Sequence, residues 1–214
     1  MPDLLQELKQ AVVEGEDDQA QRLSQKALED GLDPMTIVKQ AIVAGIQEAG
    51  ALWKQNRYFQ TDMIMSAEAF RAAMEVIEPR LSGTETSNEG RCVLGTVAGD
   101  MHNLGKMMVV VMLRGAGFQV MDLGEDVSST TFIEKVKEHK PDILGLGCYM
   151  TTTIGEMESV ISGLKENGLR NRVKVMVGGI PLSQQIADAL GADAWGKDAL
   201  DAVDKARKLM EVKK

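Results

Sequence analysis

The amino-acid sequence predicts an α/β chain: a doubly wound, five-stranded parallel sheet preceded by a four-helix bundle. Three observations carry this. The first 81 residues show apolar spacing of helical period and no strand-like alternation. From Gly90 onward, short continuous apolar runs alternate with helical segments, as when strands are covered on both faces by helices. Between the two parts, Ser82-Gly83-Thr84-Glu85-Thr86-Ser87-Asn88-Glu89-Gly90 offers no apolar side chain to bury and reads as a linker. The expected organisation is a bundle over 1–81, a linker over 82–90 and an α/β domain over 91–214.

In the bundle, Leu4, Leu5, Leu8, Ala11 and Val12 share one helix face, ended near Gly15. Ala20, Leu23, Ala27 and Leu28 define a second helix, ended at Gly31. Asp33-Pro34 reads as an N-cap followed by proline in the first turn. Ile37, Val38, Ala41, Ile42 and Ile46 then form a third stripe. A fourth starts near Thr61, with Met63, Ala67, Phe70, Met74 and Ile77 on one face, and Pro79 is expected to end it.

The second part begins with a strand from Cys92 to Val97 and a helix from Leu104 to Arg114, stopped by Gly115 and Gly117. Strands follow at Phe118–Leu123, Asp142–Gly147, Val173–Val177 and Ala192–Trp195. Helices follow at Ser129–Lys137, Ile154–Lys165, Leu182–Leu190 and Ala199–Met210. Five strands in this rhythm suit the flavodoxin-like (Rossmann-type) order, in which ligands bind outside the carboxyl ends of the strands.

Composition narrows the function. Twenty-four basic residues against 32 acidic give a net charge of −8, the wrong sign for a nucleic-acid binder. At 44% hydrophobic and 26% charged residues, the chain is an ordinary globular one. No apolar run approaches the roughly 18 residues of a membrane span, and Met1-Pro2-Asp3 does not open a signal peptide. Two cysteines, Cys92 and Cys148, form no disulfide framework, and a reduced cytoplasmic setting is expected. Methionine is unusually frequent, 14 residues against 2 Trp, 2 Tyr and 4 Phe, and there are only 2 His.

One of those two, His102, lies in the loop Gly99-Asp100-Met101-His102-Asn103-Leu104-Gly105, directly after the first strand. There a histidine can give one ring nitrogen to a metal while the other donates to a carboxylate, which fixes the tautomer. Asp100 is placed to be that carboxylate. Gly105 leaves a bulky ligand room at the helix start. The competing reading is a packed histidine with Asp100 capping the helix. His139, in Glu138-His139-Lys140-Pro141, is expected in a solvated loop at the opposite end of the sheet.

The loop resembles the D-x-H-x-x-G signature of cobalamin-binding proteins of the methionine-synthase-like class, which normally continues with S-x-L and then G-G. Here 41 residues separate Gly105 from Gly147-Cys148-Tyr149, and 28 more separate Tyr149 from Gly178-Gly179. With the helical bundle in front, nearly the whole chain resembles the small corrinoid proteins of methylamine, methanol and aryl-ether methyltransferase systems.

The resemblance implies that His102 ligates cobalt from below, displacing the cofactor's own benzimidazole (His-on, base-off). Asp100 would hold the other ring nitrogen, with Met101, Asn103 and Gly105 lining the loop. Gly178 and Gly179 would make room for the displaced nucleotide tail. Gly124-Glu125-Asp126-Val127 matches the segment bordering the corrin, with Ser128 where proline is usual. Thr151 and Thr152, in a run of three threonines, are candidates to bond corrin amides; helix capping is the competing role for the run. The second motif departs from the family: Gly147 replaces a serine whose hydroxyl contacts the tail base, and Tyr149 replaces leucine on the pocket wall. Cys148 or a water is placed to substitute for the lost hydroxyl. Otherwise Cys148 reads as a buried structural thiol.

The same resemblance implies a methyl carrier, loaded as methylcobalamin. Its partners would be a substrate-specific methyltransferase, a second methyltransferase with a pterin or thiol acceptor, and a reductive activator. The bundle would cover the corrin's methyl-bearing face at rest, with Trp53 to Met65 as candidates, above all Tyr58, Phe59, Met63 and Met65. Bundle-core packing is the competing role for each. The alternatives are a light- or cobalamin-sensing regulator, the cobalamin domain of a mutase, and a flavodoxin or receiver without cobalamin. No basic DNA-binding segment precedes the bundle, and Asp100 alone does not supply a receiver's acidic cluster.

Overall fold

The computed structural model describes residues 2–81 and 89–211. The chain divides into two compact units, Met1–Thr84 and Glu85–Lys214. Most of the linker expected at 82–90 lies outside the described residues.

The first unit is helical: α1 (Pro2–Glu14), α2 (Asp17–Glu29), α3 (Pro34–Ile37), α4 (Val43–Lys54) and α5 (Gln60–Leu81). Gly15 and Gly31, with φ of +76° and +77°, make the turns that end α1 and α2. Asp33 caps α3, its Oδ2 accepting from the Thr36 amide at 2.8 Å. Leu8, Ile37, Ile42, Phe70, Met74 and Ile77 are the largest fully buried side chains of this unit. Tyr58 Oη and Ser66 Oγ both donate to the carbonyl of Val13, at 3.0 and 2.8 Å, and so satisfy a carbonyl that the end of α1 leaves without a helical partner.

Two details depart from the sequence reading. The third stripe is not uniform: a π-helical turn, Val38–Ile42, joins α3 to α4. Ile37, Val38, Ala41 and Ile42 are all fully buried: at i, i+1, i+4 and i+5 they share one helix face, and the wider turn keeps them there. Pro79 does not end α5, which runs on to Leu81. Only one backbone bond is lost to a proline in a last turn, and buried Ile77 and Leu81 hold the helix on.

The second unit contains β1 (Arg91–Thr96), α6 (Leu104–Gly115), β2 (Gln119–Asp122), α7 (Ser129–His139), β3 (Ile143–Gly147), α8 (Ile154–Glu166), β4 (Lys174–Gly178), α9 (Gln184–Leu190), β5 (Ala194–Gly196) and α10 (Ala199–Glu211). All strand pairs are parallel and the order is β2-β1-β3-β4-β5, so the flavodoxin-like order expected from the sequence is the one observed. The order reverses between β1 and β3, and the loops leaving these two strands face each other there. At the carboxyl edge, Thr96, Gly147, Gly178 and Gly196 stand in one register row across four strands.

Leu144, Val175, Met157, Ile161 and Phe132 are buried in the core under this edge. Gly95 is needed there, because a Cβ on it would lie 2.8 Å from the Phe132 ring. His139 is a correction: it ends α7 and is not a loop residue. Lys140 closes the helix in the left-handed conformation (φ +46°), and a histidine suits the negative end of a helix. No helix among the described residues is long and apolar enough to cross a membrane.

Phe132 is the anchor of α7 on the sheet. Phe132→Ala should lower the unfolding free energy of the α/β unit by about 3–5 kcal/mol, measured by urea denaturation; a loss under 1 kcal/mol would show that the ring does not hold this layer.

A histidine loop at the carboxyl edge of the sheet

The β1–α6 loop is shaped by a carboxylate. Asp100 is fully buried. Its Oδ1 accepts from the His102 ring Nδ1 at 2.8 Å and from the His102 amide at 3.1 Å, and its Oδ2 accepts from the Tyr149 amide at 2.6 Å. Burial pushes the Asp100 carboxyl up, but the Tyr149 and His102 amides and the His102 ring together hold it below the ordinary carboxylate value. Asp100 is therefore an acceptor only, and Nδ1 of His102 must carry the proton. The lone pair of Nε2 is left for a ligand, on a side chain that is 61% exposed. A packed histidine is ruled out by that exposure.

Neighbouring loops fix the arrangement. Thr96 Oγ1 donates to the His102 carbonyl at 2.9 Å. Asp126, at φ +53°, accepts from the Gly99 amide at 2.7 Å, and its own amide donates to the Asp100 carbonyl at 3.2 Å. Gly124 accepts from the Thr96 amide at 3.0 Å, and Val127 is buried in a bridge with Val97. Buried Lys106, one residue beyond Gly105, is paired with the carboxylate of Asp122. Asp122 in turn accepts from the Gly124 amide at 2.9 Å. Ser128, where the family has proline, is the N-cap of α7 and accepts from the Thr131 amide at 3.1 Å.

The second and third motifs come to the same edge. Gly105 faces the Tyr149 ring: a Cβ there would lie 2.6 Å from Cε1. The Tyr149 and His102 ring centroids are 6.0 Å apart. Burial raises the Tyr149 phenol, with Asp100 adding to the effect, so it stays protonated. Gly179 has φ +135°, and a Cβ on it would lie 1.7 Å from the Cys148 carbonyl oxygen, so glycine is required. Cys148 is buried, its Sγ donating to the Met150 carbonyl at 3.2 Å, and burial raises its thiol. It is therefore turned away from replacing the serine hydroxyl expected at 147. Met101 and Ile180, one in each glycine-bearing loop, are 67% and 87% exposed.

Thr151, Thr152 and Thr153 form a 3-10 turn in which the first two are exposed and Thr153 is buried. Thr153 makes no side-chain cap bond to α8. Its hydroxyl donates to the Met150 carbonyl at 3.0 Å and lies 3.4 Å from Asp100 Oδ2, two acceptors for one proton. The sequence reading has Thr153 and Asp126 only as members of matched segments, without these contacts, and misses Thr96 and Lys106. The threonine run was a visible signal for the first, whereas the others depend on which loops the fold brings together. In the helical unit, Phe59 (71% exposed), Trp53, Ile64 and Met65 are exposed, while Tyr58 and Met63 are half-buried.

An exposed histidine held by a buried aspartate, at the switch point of a parallel sheet whose floor is glycine, defines a module that receives a large cofactor. Comparison with known proteins specifies the class. B12 binding domain models match residues 90–204 and 4–78, and this chain belongs to the B12-binding corrinoid proteins. It is 41% identical over 210 residues to a corrinoid protein of Desulfitobacterium hafniense, and 40% identical over 210 residues to trimethylamine corrinoid protein 1 of Methanosarcina acetivorans. Each alignment covers 97% of both chains. Its fold matches the monomethylamine corrinoid protein of Methanosarcina barkeri with a TM-score of 0.83 at 29% identity, covering 97% of this chain and 99% of that one. It also matches the methanol:cobalamin methyltransferase complex of Methanosarcina barkeri (TM-score 0.57, 29% identity, covering 98% of this chain and 80% of that one).

Removing the central carboxylate tests the loop. Asp100→Ala should lower stability by about 1–3 kcal/mol, because the buried Tyr149 amide loses its acceptor; Asp100→Asn, which keeps an oxygen there, should cost less. A carboxyl held low in the folded state stabilises above its unfolded value and ceases to as pH falls. The parent should therefore lose stability below about pH 4 more steeply than Asp100→Asn. Equal acid limbs in denaturation curves would show that the site does not depress this carboxyl.

Proposed function

We propose that this chain is a corrinoid methyl carrier, in which His102 Nε2 would hold the cobalt of the corrinoid in place of the cofactor's own base. The observation that carries the proposal is the pairing of His102 with Asp100: the tautomer is set, and the free nitrogen is presented to solvent at the carboxyl edge. When bound, the corrinoid supplies a cobalt centre that accepts a methyl group and gives it up.

The chain's own residues hold and orient that centre. Asp100 keeps Nδ1 protonated and strengthens Nε2 as a donor. By taking more of the Nδ1 proton it stabilises the ring as the demand on Nε2 changes. Tyr149 N and the Asp126 bonds keep Asp100 from turning away. Gly147, Gly178 and Gly179 give the nucleotide tail a row that carries no side chains of its own, and exposed Met101 and Ile180 offer apolar contact to the macrocycle. The loop Gly124 to Val127 borders it, and the Thr151 and Thr152 hydroxyls are exposed for its amides.

The partners are a methyltransferase that selects the methyl donor and a second one that delivers the methyl group to a pterin or thiol, with a reductase restoring over-oxidised cobalt. Relatives named for trimethylamine, dimethylamine and methanol systems support the first of these. No observation favours a sensing regulator.

Reconstitution of the purified chain with cobalamin should give about one corrinoid per chain with a His-ligated, base-off absorption spectrum. His102→Ala should lose that spectrum while circular dichroism stays parental. An unaltered spectrum in the variant would rule out His102 as the cobalt ligand.

A further inference from the structure

The second motif holds a feature that the carrier function leaves unexplained. Gly147 and Tyr149 both depart from the family pattern, and the structure shows that the two departures belong together. The Tyr149 ring fits between two glycines. At one edge a Cβ on Gly105 would come within 2.6 Å of Cε1 and 2.7 Å of Oη; at the other, a Cβ on Gly147 would lie 3.3 Å from Cε2. The backbone amide of Tyr149 is fixed on Asp100 Oδ2 at 2.6 Å, and the ring is tilted 37° to the His102 imidazole. An aromatic plate is thus attached to the same carboxylate that orients the histidine.

The polar groups nearby are engaged. Thr96 Oγ1, which would lie 3.4 Å from a Cβ on Gly147, gives its proton to the His102 carbonyl. Cys148 Sγ is buried against Met150 O and Thr153. Of the glycines in the row, a Cβ on Gly147 would meet Tyr149, whereas one on Gly178 would meet only the Gly196 carbonyl, so Tyr149 is the large side chain at the Gly147 end. A serine at 147 would recognise a tail base by hydrogen bonding to one of its ring atoms. A ring recognises any planar aromatic base by edge-to-face or stacked contact, without regard to where the nitrogens lie.

We propose that Tyr149 is the specificity-determining residue for the corrinoid's nucleotide tail, replacing hydroxyl recognition of the base by ring contact. This rests on the reading above that the tail follows the Gly147–Gly178 row. It makes the chain tolerant of corrinoids that differ in their aromatic base and selective against those that have none.

The test is absorbance titration of the full chain with three probes: cobalamin, the corrinoid carrying adenine in place of benzimidazole, and cobinamide, which has no base. The parent should bind the first two within about 3-fold of one another and cobinamide about 3- to 10-fold more weakly, the scale of one aromatic contact. Tyr149→Phe should keep the cobalamin-to-cobinamide ratio. Tyr149→Leu should bring it to about one, and Gly147→Ser with Tyr149→Leu should restore it while separating benzimidazole from adenine. A parental ratio in Tyr149→Leu, including the case in which all three probes weaken equally, would overturn the proposal, as would a parent that does not distinguish cobinamide. The spectrum with cobinamide reads His102 ligation separately. A parent showing no His-ligated spectrum with any probe would remove the carrier reading and this inference together; a failed ratio with that spectrum intact removes the inference alone.

Discussion

The structure around the site depends on one buried carboxylate. Asp100 accepts bonds from the β1–α6 loop through His102 and from the β3–α8 loop through Tyr149. A charged group without water stays charged only if it is well supplied with donors, and an incomplete set would cost more than an apolar residue in its place. The two loops are therefore obliged to meet at Asp100. Their meeting determines which ring nitrogen of His102 carries a proton and which is offered outward. An exposed histidine elsewhere on the surface would be a solvated side chain with no defined tautomer or direction.

The sheet makes such a meeting possible. At the point where strand order reverses, the loops after β1 and β3 leave neighbouring strands and face one another. Asp126 and the Lys106–Asp122 pair then hold the β2–α7 segment against the same loop from the other side. The glycines serve two separate ends. Gly179 is dictated by backbone conformation and the Cys148 carbonyl. Gly105 and Gly147 are dictated by space, which here is taken up by the Tyr149 ring. A ligand in this region meets backbone and an aromatic edge, with few long side chains to displace.

The motif residues were legible in the chain because their spacing coincides with strand ends: Asp100 and His102 after β1, Gly147 to Tyr149 from the last residue of β3, Gly178 and Gly179 from the last residue of β4. Residues whose importance lies only in cross-loop contacts were not. Asp126 reads only as a member of the segment Gly124 to Val127, and nothing local marks it as the acceptor for Gly99. Cys148 reads from the sequence as a substitute for the missing serine, whereas its thiol is bonded to the Met150 carbonyl beside the Thr151–Thr153 turn. His139 sits beside a proline-bearing segment that reads as loop, yet Lys140 in the left-handed conformation lets α7 continue through it.

Apolar periodicity and turn residues alone determined the element order, the parallel sheet and the strand ends on which a ligand loop must sit, because helical and extended spacing are local properties of the chain. The π-helical turn was beyond their reach, since apolar residues at i, i+1, i+4 and i+5 share a face in an α-helix as well, and the spacing does not tell the two turns apart. So was the choice of partners for Asp100. A carboxylate two residues from a histidine can cap a helix or hold an imidazole, and the sequence is the same in both cases. Which of the two occurs is decided by the Tyr149 amide, 49 residues away in the chain, which reaches the carboxylate only once β1 and β3 lie side by side.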